Sequence, residues 1–196
     1  YKNPGKPCKG SKFIHQITGS AKKVMADSIK LALAMATNLV KPKYVESFYK
    51  RYPNGLHIHN GDLSTSKDGP SATVTYILVF VSKILHMRIK NIVGLTGEVS
   101  GDCNVKAIGG LHYKLQGAKK AGVKLIFAPK ENEKDLDKVK EIDKTLLDDN
   151  FKVILVSHVR EILEMAILEK SGTDYDDSVT YKKTFDSKKY LLDSCI

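Results

Sequence analysis

Apolar residues recur along this chain at two spacings, and the change from one to the other marks most of its elements. Phe13 to Ile17 reads as a short strand punctuated by Gly19-Ser20. From Ser20 to about Val40 the spacing becomes helical: Val24, Met25, Ile29, Leu31, Leu33 and Met35 form a broad apolar face opposite Lys22, Lys23, Asp27 and Lys30. Pro42 ends that helix, because the residue before a proline is driven out of the α region. Tyr44 to Arg51 reads as a short amphipathic helix stopped by Pro53-Asn54-Gly55, and Leu56-His57-Ile58-His59 alternates as a strand with both histidines on one face. The mainly apolar run Ala72 to Leu85 predicts a helix reaching about His86. A strand within Asn91 to Val99, turn residues at Ser100-Gly101-Asp102 and a return strand from Asn104 to Ile108 predict a β-hairpin. Gly109-Gly110 opens a helix over Leu111 to Ala121, and Gly122 closes it. Val123 to Ala128 is a strand ended by Pro129, Lys152 to Ser157 a buried-type strand, and Val159 to Leu168 a last amphipathic helix. Between them, Glu131 to Asn150 carries eight acidic residues against four lysines and predicts one or two short surface helices.

Irregular alternation of strands and helices predicts an α/β or α+β domain rather than a bundle. Residues 1–10 are rich in Pro, Gly and Lys and are expected to be flexible. From Ser171 the periodicity fades, so 171–196 is expected to be a peripheral or partly disordered tail, and 11–170 the folded domain.

Composition changes this picture little. The chain has 196 residues, 42% of them hydrophobic, enough for one domain with a real core. Its longest apolar stretch, Tyr76 to Val81, is too short to span a bilayer, so no membrane partner is expected. The first residues hold no apolar core of a signal peptide. They also lack a starting Met, so the chain is expected to be part of a longer polypeptide, and its compartment is not read from it. Three scattered cysteines suit neither a disulfide framework nor a zinc site. The net charge of +10 favours acidic partners, but the lysines are dispersed, so nucleic acid is weakly supported.

The candidate chemistry starts at Lys67-Asp68-Gly69-Pro70-Ser71-Ala72. Proline suits the first turn of a helix, which puts the Ser71 hydroxyl beside free backbone N–H groups and a positive dipole end. Such a serine is either an ordinary cap or a nucleophile with oxyanion donors at hand. On the helix after Gly110, Leu111, Leu115 and Ala118 form the core-facing stripe, and Lys114 lies about 60° to its flank. Its amine either snorkels to water or enters a pocket, where desolvation would make it a general base. His57 and His59 lack a third ligand at useful spacing, so no metal is expected.

Asp68-Gly69-Pro70-Ser71-Ala72, Thr96-Gly97-Glu98-Val99 and Ile108-Gly109-Gly110-Leu111 followed by Lys114 together resemble the proteolytic domain of the Lon proteases. Ala121-Gly122-Val123-Lys124, Pro129-Lys130-Glu131-Asn132-Glu133, Asp135-Leu136 and His158-Val159 continue the likeness, and Ile17-Thr18-Gly19 with Val24-Met25 and Ser28 precede it. The resemblance spans roughly residues 11 to 168. It implies a compact α/β fold similar to the second domain of ribosomal protein S5, and a serine endopeptidase in which Ser71 is the nucleophile and Lys114 the general base. Thr96 would hold the lysine amine, and Asp68 would tune the site or pair with Lys114 in an inactive state. Backbone groups at Gly69, Pro70 and Ala72 would face the oxyanion, and the strand bearing His57 and His59 would face substrate.

The resemblance further implies unfolded protein or peptide substrates and a ring, usually of six copies. ATP and Mg would serve an ATPase module outside this chain, which has no Gly-x-x-x-x-Gly-Lys-[Ser/Thr] of its own. The location would be cytoplasmic in a prokaryote, and the mitochondrial matrix or another organelle in a eukaryote. The rival expectations are a catalytically silent scaffold and a nucleic-acid-binding module of the same fold. The chain departs from the family at Thr73, where glycine is usual, in the loop Asn60 to Ser66, and at Gly101-Asp102-Cys103. It also lacks the family's opening strand pair before Lys9, and has no counterpart of the tail after Leu168.

Overall fold

A parallel strand pair needs a long crossover, and the first sixty residues supply one. In the computed structural model, which describes residues 13–61, 68–169 and 183–193, β1 (Ile14–Gly19) and β2 (Leu56–Asn60) pair in parallel. Between them lie α1 (Lys23–Leu39) and α2 (Pro42–Arg51). Gly19 has φ +102°, and a side chain there would collide with the Asn60 carbonyl, so only glycine closes this pair. Met25, Ile29, Ala32, Leu33, Ala36 and Leu39 are the buried face of α1, a stripe at helical spacing. Val24 and Leu31, expected on that face, lie on its flank and are each 47% exposed. Pro42 does not merely end the first helix. It is the first residue of α2, where its fixed φ is favourable and its missing N–H costs nothing.

The central helix α3 (Thr73–Leu85) packs along α1, burying Val74, Ile77, Leu78, Phe80, Val81 and Ile84. A second, wholly parallel sheet has the order β4 (Val93–Leu95), β7 (Leu125–Pro129), β8 (Lys152–Val156). The expected hairpin is β5 (Glu98–Val99) with β6 (Val105–Lys106). Against the parallel sheet lie α4 (Leu111–Lys120) and α5 (Glu133–Ile142), enclosing a smaller core of Leu111, Leu115, Ile126, Leu136 and Phe151. Gly122 follows α4 at φ +81° and donates to the Lys119 carbonyl, the stop expected of a glycine there. The fold is α/β with mixed parallel and antiparallel pairing.

Two expectations about the C-terminal part are corrected. The last amphipathic helix, α6 (Val159–Ala166), is shorter than its apolar pattern, because Ile167–Glu169 leaves the helix as strand β9. That strand is paired on both sides, by β3 (Arg88–Ile89), which local pattern did not reveal, and by β10 (Lys183–Thr184). The tail is also not peripheral over residues 183–193. Phe185, Tyr190 and Leu191 are in the main core, with α7 (Ser187–Tyr190) carrying the tyrosine. Too few apolar residues are present for a periodic signal, yet Tyr190 rests on Tyr44 of α2 and stacks with Phe185, and Leu191 pairs with Val40 at the end of α1. Residues 1–12, 62–67, 170–182 and 194–196 lie outside the described residues, including the expected flexible start and most of the substrate-side loop.

Candidate active site

Ser71 does not sit on the first α-helical turn but on a single 3-10 turn, Pro70–Ala72, in front of α3. Gly69 enters that turn at φ +135°, a conformation open only to glycine, and Pro70 occupies its first position. Thr73, where the resemblance leads one to expect glycine, is 1% exposed and donates its hydroxyl to the Pro70 carbonyl at 2.6 Å. The β-branched residue thus braces the turn from behind. The Ser71 carbonyl accepts from Gly97 N at 2.8 Å, and Val74 N donates to the Gly97 carbonyl at 3.3 Å. These bonds fasten the Ser71 backbone to the segment between β4 and β5. A side chain on Gly97 would come within 2.6 Å of the Val105 methyl, so the close approach requires glycine.

Lys114 is presented from α4, whose buried Leu111 and Leu115 fix the rotation of the helix. Its Nζ lies 2.8 Å from Ser71 Oγ and 3.5 Å from Thr96 Oγ1. Thr96 is 6% exposed, with its N–H on the Phe127 carbonyl at 3.0 Å and its hydroxyl 3.5 Å from the Ser71 carbonyl. The structure therefore brings together the three residues that the sequence singled out 43 and 18 positions apart. Burial pushes the Lys114 amine below the ordinary lysine value, since the charged form loses water. A neutral amine at this distance can accept the serine proton.

The remaining candidates separate into groups. Asp68 is exposed, and its Oδ1 accepts from Met25 N at 3.0 Å and Gly69 N at 3.1 Å. Among the described residues no ion pair joins Asp68 to Lys114. Pro70 has no N–H to offer an oxyanion, and the Gly69 N–H faces Asp68. Of the three expected donors, Ala72 remains. His57 and His59 share the exposed face of β2, with His57 Nε2 at 2.7 Å and His59 Nδ1 at 3.0 Å from Thr18 Oγ1. Beside the 3-10 turn runs a groove of about 450 Å³ lined by Val24, Asp27, Leu31, Pro70, Thr73 and Glu98. Among the described residues, no three His, Cys, Asp or Glu side chains converge as metal ligands.

Two residues that hold the approach to the lysine's helix stood in the sequence only inside a motif of the family likeness, with no role assigned. Asn132, 2% exposed, accepts from Ile108 N and donates to the Ile108 carbonyl, both at 2.9 Å, and also reaches Asp135 Oδ2 at 2.7 Å. Glu131 accepts from Ala107 N at 2.9 Å and pairs with Lys106 at 3.3 Å. Together they hold the approach to α4. Their trace in sequence is the motif Pro129-Lys130-Glu131-Asn132-Glu133, which marks a likeness but not the backbone groups that these side chains bind.

Comparison with known proteins identifies the family. Residues 7–169 match the family model for the Lon protease (S16) C-terminal proteolytic domain. A Lon protease homolog of Acanthamoeba polyphaga mimivirus is 35% identical over 90% of this chain and 17% of its own length. The Lon protease of Fervidobacterium nodosum is 33% identical over 88% of this chain and 20% of its own. Lon protease 1 of Bacillus subtilis is 35% identical over 78% and 19% respectively. The chain thus spans about a fifth of the length of these relatives. It belongs to the family of Lon protease C-terminal proteolytic domains.

Proposed function

We propose that this chain is a serine endopeptidase domain working through a Ser71–Lys114 dyad. The observation that carries this reading is the 2.8 Å separation of Lys114 Nζ and Ser71 Oγ, where burial lowers the lysine pKa. Neutral Lys114 takes the hydroxyl proton as Ser71 Oγ attacks the scissile carbonyl, and Thr96 keeps the amine on the serine through the second hydrogen bond. On this reading the Ala72 N–H meets the tetrahedral oxyanion. Charged Lys114 then protonates the leaving amine, the acyl-enzyme forms on Ser71, and water releases it with the same proton path reversed. An extended substrate segment pairs with a strand edge of the β1–β2 sheet near His57 and His59.

The substrates on this reading are unfolded or damaged polypeptides. The whole protein is ATP-dependent, with ATP and Mg held by an ATPase module outside this chain, and assembles as a ring, expected to be a hexamer. The relatives, roughly four times as long, leave room for such a module.

Labelling of Ser71 by a serine-reactive peptide inhibitor, followed against pH, tests the dyad. Labelling should rise with a midpoint below the usual lysine pKa of 10.5 and vanish in Lys114→Ala. Hydrolysis of an unstructured peptide should be lost in Ser71→Ala and in Lys114→Ala, each still folded. Near-wild-type turnover by Lys114→Ala would refute the assignment.

A further inference from the structure

We propose that Asp68 acts on the nucleophile as the missing N-cap of α1, locking the 3-10 turn of Ser71 against that helix, and not as a charge partner of Lys114. The proposal rests on the dyad reading and gives Asp68 a positioning role in it. α1 begins without a cap of its own: Lys22 is the N-cap residue and no side chain there bonds the helix. The first N–H groups of a helix need acceptors. Asp68, 43 residues further on, supplies one by accepting from Met25 N, the third helical residue, at 3.0 Å. That is the geometry of an N-cap side chain, delivered from another segment.

The same oxygen accepts from Gly69 N at 3.1 Å. The carboxylate therefore grips the helix and, at once, the residue whose positive φ launches the 3-10 turn. Met25 is the anchor on the other side as well. Asn60 Nδ2 lies 2.8 Å from Met25 Sδ, and Asn60 Oδ1 accepts from the Tyr76 hydroxyl on α3 at 2.8 Å. Asn60 and Asp68, flanking the substrate-side loop, are thus both tied to one residue of α1. With Gly97 N on the Ser71 carbonyl at 2.8 Å, the turn is held from both ends. Loss of the Asp68 end frees Gly69 and Pro70 to shift, and Ser71 Oγ moves with them relative to the Lys114 amine.

This role requires an acceptor, not a charge, and Asp and Asn are equivalent as caps. The test measures peptide hydrolysis across pH for Asp68→Asn and Asp68→Ala, beside amide hydrogen exchange at Met25. In Asp68→Ala, kcat should fall by about tenfold to a hundredfold, with KM nearly unchanged, and Met25 should lose protection. Asp68→Asn should restore kcat to within about threefold and Met25 protection with it, leaving the midpoint of the pH profile in place. An Asn variant as inactive as the Ala variant, or one whose pH midpoint shifts, would show that the charge acts on Lys114 and overturn the proposal. Unchanged exchange at Met25 in Asp68→Ala overturns it too, whatever the turnover. Failure of the dyad itself reads out separately, as wild-type hydrolysis that survives Ser71→Ala.

Discussion

At the scale of the residue, the site turns on a lysine kept where its ammonium is poorly solvated. The Lys114 pKa is lowered in the folded chain by desolvation, so between that lowered value and the usual 10.5 the unfolded state binds more protons. Stability therefore rises with pH across that window, and below it the folded chain bears the full cost of the buried charge. At neutral pH Lys114 is thus a liability to the fold. Lys114→Met, which keeps the stem and removes the charge, is expected to abolish peptide hydrolysis while raising Tm at pH 7. The gain should shrink as pH climbs from the lowered pKa towards 10.5, above which the wild-type amine is neutral in both states. Thermal melts of the two chains at pH 7 and pH 10.5 check this. A lower Tm for the variant at pH 7 would mean that its bonds to Ser71 and Thr96 outweigh desolvation.

At the scale of the element, what matters is how α4 is docked, because it aims Lys114. Its rotation is set by Leu111 and Leu115, which a helical repeat makes readable. The approach is set by the Asn132 amide, which satisfies both backbone groups of Ile108. Asn132→Ala leaves a buried N–H and carbonyl unpaired, and is expected to cost about 1–3 kcal/mol in urea unfolding and to lower kcat with little change in KM. Asn132→Asp keeps one acceptor but loses the donor, so it should fall between the wild type and the alanine variant.

The same contrast explains what could be read from the chain. Ser71, Thr96 and Lys114 stand in short motifs with helix and turn signals around them. Asp68 stood in those motifs too, but its partner is a backbone N–H on α1, and backbone donors leave no mark in a sequence. The apolar pattern likewise carried Val159 to Leu168 forward as one helix. What stops it at Ala166 is pairing of β9 with strands from residues 88–89 and 183–184, which no local spacing encodes.

At the scale of the whole molecule, the C-terminal segment closes the domain by clasping α1, α2 and α6 together. Lys41 N donates to the Tyr190 carbonyl at 2.9 Å, and Leu192 N to the Leu39 carbonyl at 2.8 Å. Arg160 hydrogen-bonds the Leu192 carbonyl, and Ser187 Oγ donates to Glu164 at 2.6 Å. Beneath the clasp is a carboxylate, Glu169, only 5% exposed, with Lys189 Nζ at 2.8 Å and the Tyr190 hydroxyl hydrogen-bonded to it. That contact raises the Lys189 pKa, so its contribution is present at neutral pH and lost only in strong alkali. A buried carboxylate is tolerable while such partners remain. Leu191→Ala removes a fully buried side chain and is expected to cost about 2–5 kcal/mol. Tyr190→Phe, which takes one hydrogen bond from a buried charge, should cost about 1–3 kcal/mol. Since small domains hold only about 5–15 kcal/mol in all, a chain ending at residue 182 should not fold, and should show neither a cooperative melt nor inhibitor labelling at Ser71. A merely peripheral tail makes the opposite prediction: both melt and labelling would survive its removal unchanged, and the clasp would then be an ornament on a domain already closed by β3 and β9.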